Sequence, residues 1–100
     1  MQTSVYSRSQ LTDMIRPLLK KYRADHALLF GSYARNEATI ASDIDLVVVG
    51  TPEFQPFDIF AIAEELHENS GKAVDVYEIS EIAQHSPIYN AIMADGVVVK

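Results

Sequence analysis

The run Asp43-Ile44-Asp45-Leu46-Val47-Val48-Val49, closed by Gly50, limits most tightly what this chain can fold into. Leu46 to Val49 reads as a buried strand, so two carboxylates stand at the head of an apolar anchor. Side chains alternate along a strand, so Asp43 and Asp45 face the same way, roughly 6.6 Å apart at about 3.3 Å per residue. Carboxylates that close resist joint ionisation unless a cation lies between them. The pair is therefore either a solvated strand edge or a ligand set for a hard cation. Mg²⁺ suits the second reading, because it commonly takes one or two carboxylates together with substrate phosphates.

Asp75 stands between Val74 and Val76 in a second apolar run, Ala73 to Ile79, which predicts another strand. A lone acid there is costly unless it faces solvent or caps a neighbour. It is accounted for if this strand lies beside Asp43–Val49 and Asp75 shares the same metal. Three carboxylates could then hold two metal ions, and Asp75 could accept a proton from an attacking hydroxyl. Upstream, Ala27-Leu28-Leu29-Phe30 predicts a buried strand ending at Gly31-Ser32. Gly-Ser after a strand is in itself a turn. Here it also permits close approach of a phosphate, with the N-terminus of a short helix, Tyr33 to Glu37, supplying amides. Ser32 adds a hydroxyl. Arg35, otherwise a surface residue, could add a planar donor fork.

Around these segments the periodicity predicts further helices. Ser9 can cap the first, with Leu11, Ile15, Leu18, Leu19 and Tyr22 inward and Pro17 kinking or breaking it. The next runs from Phe57 to Asn69, with Phe60, Ala63 and Leu66 inward, Glu64, Glu65 and Glu68 outward, and Gly71 stopping it. Ser80 to His85 also reads as helical. Ser86-Pro87 starts a last helix, since serine caps well and proline suits the first helical position. Its apolar face is Ile88, Tyr89, Ile92 and Met93. Gly96 ends it, and Val97 to Val99 closes the chain as a strand. The order is an α/β or α+β one, a short mixed sheet flanked by helices, with residues 1–100 expected to form a single domain.

Composition narrows the partners. The net charge is −6, and only Lys20-Lys21, with Arg23 near, cluster. That trio reads as the solvated end of a helix, so nucleic acid is not expected as a partner. An acidic chain can still bind a nucleoside triphosphate through a divalent metal. No apolar run is long enough to span a bilayer and the first residues, Met1 to Tyr6, do not resemble a leader. There is no cysteine. The expected setting is the cytoplasm, without a membrane partner. His26, His67 and His85 are isolated and read as surface or helix-end residues.

Gly31-Ser32, ten residues, then Asp43-Ile44-Asp45 resembles the signature of the polymerase-beta-like nucleotidyltransferase superfamily. Phe30 to Arg35, followed by Ser42 to Leu46, resembles its minimal branch, the MNT domain proteins. Asp75 fits the third carboxylate of that family. Asn36 departs from it, where relatives often carry glycine. The resemblance implies a nucleotidyltransferase fold, Mg²⁺, ATP as substrate, and an acceptor supplied in trans. MNT proteins commonly act as antitoxins of HEPN-type RNase toxins, some by transferring AMP to a toxin tyrosine, and such a chain can form an oligomer with its partner. Two alternatives differ in kind: an antitoxin that merely masks its partner, and a transferase for a small molecule or an RNA end.

Overall fold

The computed structural model describes residues 5–100, so the reading of the leader lies partly outside the described residues. The elements are α1 (Arg8–Lys21), β1 (Ala24–Phe30), β2 (Ile44–Gly50), α2 (Asp58–Ser70), β3 (Val74–Glu78), a single 3-10 turn (Ile79–Glu81), α3 (Pro87–Asp95) and β4 (Val97–Val99). The strands form one mixed sheet in the order β3-β2-β1-β4. β1 runs antiparallel to β2 and β4, and β2 runs parallel to β3. The expected α+β architecture is therefore present.

Strand alternation sorts the sheet into two faces. Ala27, Leu29, Ile44, Leu46 and Val48 pack against Leu11, Ile15, Leu18 and Leu19 of α1 and Ile59, Ile62 and Leu66 of α2. Phe30 and Val47 point to the opposite face, where Ile92 of α3 meets them with Leu28 and Tyr77 at the border. Asp45 lies two residues from Val47 and therefore belongs to this second face.

Several local expectations give way for identifiable reasons. The cap of α1 is Ser7, not Ser9: Ser7 and Gln10 bond each other's amides in a capping box, and the residue three beyond Ser9 is Thr12, which cannot reciprocate. Pro17 does not break α1. It and Asp13, whose carbonyl loses its donor, are both exposed. The helix expected at Tyr33–Glu37 is a series of turns. Asn36 takes a left-handed φ of 59°, which stops helical propagation and which asparagine tolerates better than most residues. Without that helix, β1 returns directly into β2 as an antiparallel neighbour.

Ser80–His85 is likewise not a helix; only the 3-10 turn forms, and His85 sits at φ 64° before α3. In α2 the buried stripe is Ile59, Ile62, Leu66 and Ser70, which leaves Phe60 outward and 67% exposed. Met93 is also exposed, while Ile92 carries the packing of α3. The cap of α3 by Ser86 with Pro87 in its first turn forms as expected. So does closing β4.

Candidate active site

The parallel pairing of β2 and β3 sets Asp45 opposite Asp75. Neighbouring strands lie about 4.8 Å apart, so both carboxyls share one patch of the second face. Asp75 is exposed and Asp45 half-buried. Asp43 is exposed one residue ahead of β2, not within the strand, yet its charge acts on Asp45. The Asp45 carboxyl is pushed up to about 6 by burial first, then by the charges of Asp75 and Asp43, with Asp75 near enough to hydrogen-bond it. Arg35 pulls the other way.

Gly31 lies beneath Asp45. Phe30 pairs with Asp45 across β1 and β2, and Gly31 then turns the chain at φ 75°. A Cβ at Gly31 would stand 2.5 Å from Asp45 Oδ2, so only glycine lets the turn meet the carboxylate. Within the turn, the Ala34 and Arg35 amides donate to the Gly31 carbonyl, at 3.1 and 3.2 Å, and Glu37 donates to the Ser32 carbonyl at 2.9 Å. The amides of Ser32 and Tyr33 take no part in these bonds. The donors next to Asp45 are thus those of a tight turn, not of the expected helix terminus. Arg8 at the head of α1 donates to the Ala34 carbonyl and fixes the turn from behind. Arg35 does reach the neighbourhood, but Glu37 holds it at 2.8 Å and Asp95 at 3.7 Å.

Two residues of the site escaped the sequence reading. Tyr77 follows Asp75 on the same face of β3. Burial first, then the charges of Asp75, Asp45 and Glu81, raises its phenol above the ordinary range. Strand alternation alone would have found it. Lys72 is only 5% exposed, and its ammonium donates to the Ile40 carbonyl at 2.7 Å. That bond ties the start of β3 to the Thr39–Ser42 turn, which leads into Asp43. Beside it the Ile44 amide donates to Ala73 at 2.9 Å. Nothing in the sequence marks Lys72, because its burial depends on the 39–42 turn folding back over it.

The histidines stay apart from this site. His26 pairs with Asp25 at 2.6 Å, and His67 donates from Nδ1 to the Lys72 carbonyl at 2.6 Å at the end of α2. Lys21 and Tyr22 both bond Glu65, so Glu65 joins α1 to α2 and is not the free outward acid expected. Among the described residues, no group of three or more acidic or histidine side chains stands close enough together to hold a metal ion. The donor set nevertheless fits a hard cation: carboxyl oxygens alone, mutually repelling, with the backbone drawn close under one of them. Among the described residues, no helix is long and apolar enough to cross a membrane.

Comparison with known proteins agrees with the fold. The family described as Polymerase beta, Nucleotidyltransferase matches residues 13–100. A proposed protein adenylyltransferase of Methanocaldococcus jannaschii is 35% identical over 89 residues, covering 89% of this chain and 94% of that protein. Among solved structures, one of a toxin–antitoxin with AMP-PNP superposes at a TM-score of 0.75 and 20% identity, covering 89% of this chain and 72% of that one. A second holds a tri-AMPylated Shewanella oneidensis HEPN toxin in complex with an MNT antitoxin. It superposes at 0.67 and 19% identity, covering 89% and 68%.

Proposed function

The chain belongs to the polymerase beta nucleotidyltransferase family, and from that premise we propose that it transfers AMP from ATP, with Mg²⁺, to a tyrosine hydroxyl of a HEPN-type RNase toxin and so acts as its antitoxin. The proposal takes residues 1–100 as one minimal nucleotidyltransferase domain working in the cytoplasm. The observation that carries it is the register of Asp45 on Asp75, with the Gly31 backbone drawn against the Asp45 carboxylate. The adenylyltransferase name of the archaeal relative supports a protein as acceptor, and the AMPylated toxin of the fold relative supports its kind. The AMP-PNP of the other fold relative supports ATP as donor.

In this reading Asp43, Asp45 and Asp75 hold two Mg²⁺ ions. Bound Mg²⁺ supplies neutralising charge for the triphosphate and acidifies the acceptor hydroxyl. The Gly31-Ser32 backbone and the Ser32 hydroxyl hold the oxygens of the departing phosphates, and Arg35 turns from Glu37 toward them. The acceptor oxygen bonds to the α-phosphorus as the bond to the bridging oxygen breaks. Pyrophosphate leaves with that oxygen, and the hydroxyl proton passes to an Asp75 carboxylate oxygen. The test is incubation of the chain with a HEPN-type protein encoded beside it, Mg²⁺ and labelled ATP, followed by intact mass. Gain of one or more AMP units on the toxin is expected. No gain, with both proteins folded and ATP in excess, overturns the reading.

A further inference from the structure

The Gly31-Ser32 turn follows β1, Asp45 stands on β2, and Asp75 stands on β3, the edge strand. Phosphates at the turn and a base at Asp75 thus lie at opposite ends of one line across the sheet. In-line displacement places the attacking oxygen and the leaving pyrophosphate on opposite sides of the α-phosphorus. With pyrophosphate held on the β1 side, the attacking hydroxyl must arrive from the β3 side.

A groove of about 490 Å³ lies there. Ile59 and Phe60 of α2, Tyr77 of β3, and Ile82, Ala83 and Ile88 on the way into α3 line it, so it wraps the open edge of the sheet. Tyr77 joins it to the acids, because it follows Asp75 by two residues on the same face of β3, in register with Val47 as Asp75 is with Asp45. Phe60, on its wall, is 67% exposed, and Phe57, the residue ahead of α2, is 82% exposed. Glu81 at the wall and the three aspartates beyond it give the groove an acidic end.

We propose that this groove seats the acceptor protein: a segment whose apolar side chains flank the hydroxyl that is modified, with basic residues facing the acidic end. The inference rests on the nucleotidyl transfer proposed above. The nucleoside is not drawn to this groove, because its 5′ oxygen stays bonded to the α-phosphorus at an equatorial position, off the line of attack. In-line geometry therefore does not send it to the β3 edge.

Phe60→Gln and Ala83→Gln test the groove on two separate elements. Both positions are exposed, and neutral replacements leave the charges of the site alone. The acceptor is the toxin protein labelled by the wild-type chain, so a wild type that labels nothing refutes the reading above and not the groove. Each variant is expected to lose about tenfold in kcat/KM through a raised KM for the acceptor, as loss of an interface anchor does. The affinity for ATP with Mg²⁺, measured by titration calorimetry, should stay within about twofold. Acceptor KM unchanged in both variants overturns the proposal. Weakened ATP affinity with unchanged acceptor KM also overturns it, and would make the groove a nucleoside site.

Discussion

Asp45 carries a conflict that a proton or a bound cation relieves. Its carboxyl is raised from the ordinary 3.8 to about 6, by burial, then by Asp75 and Asp43. A carboxyl whose folded pKa lies above its unfolded value binds more protons in the fold, so its contribution to stability falls as pH rises. The metal-free protein is therefore expected to lose stability from about pH 4 to about pH 6 on account of this group, and to stay at the lower level above that. Asp45→Asn should remove that slope and leave the metal-free fold at pH 7 equally or more stable, while abolishing AMP transfer. Thermal melts in EDTA across this range, beside a transfer assay, measure both. An unchanged slope would dismiss the electrostatic account, and full transfer would dismiss the metal assignment. Gly31 supplies a second case. Alanine there must adopt a left-handed φ, worth about 1–2 kcal/mol, and must push the Asp45 carboxylate from a 2.5 Å approach. Gly31→Ala is expected to lower the denaturant midpoint and to lose transfer beyond what the residual fold explains. Wild-type kcat in a destabilised Gly31→Ala protein would reduce Gly31 to a turn residue.

At the scale of elements, the legible parts were those in which local pattern and tertiary demand coincide. Leu46 to Val49 could only be a buried strand, and Ser86-Pro87 could only open a helix; both stand so. The 33–37 segment misled because its composition suits a helix while the left-handed Asn36 stops one. Phe60 misled because a shift of one residue turns an α-helix by about 100°, and only packing against β3 fixes which face goes in. The pairing of Asp45 with Asp75 was an expectation from two separate strands; its parallel register is a long-range property that no local window contains. Lys72 was illegible for the same reason. Its bond to Ile40 fastens the turn before Asp43, so it places a carboxylate without touching it. Lys72→Met keeps the buried chain and drops the bond. The Mg²⁺ concentration for half-maximal transfer should rise by about tenfold, the lower range for partners that orient metal ligands. Stability should change far less than activity does. A magnesium titration giving the wild-type midpoint would show that the 39–42 turn needs no such anchor.

For the whole molecule, the toxin inhibition proposed above has two routes, chemistry and cover. The acids occupy an open stretch of the second sheet face: Asp43 and Asp75 are exposed, and the groove beyond β3 is open at its flank. A partner bound there would be reached by Asp75 and also shielded by the same contact, so both modes use one face and binding data alone cannot separate them. Stoichiometry can. A catalyst needs only transient contact, so with ATP and Mg²⁺ the chain should inactivate a molar excess of toxin. That toxin should stay inactive after this protein is removed. A masking protein works at equal ratio, ignores ATP and releases active toxin on dilution. Asp43→Asn sharpens the comparison, because it removes one ligand charge from an exposed position ahead of β2 and leaves the groove intact. The variant is expected to fail at substoichiometric ratio and to inhibit only weakly at high concentration, by occupying the same face. RNase activity of the toxin, followed across a ratio series with and without ATP, reads out each case. Protection by Asp43→Asn equal to wild type at every ratio would make cover, not AMP transfer, the way this fold silences its partner.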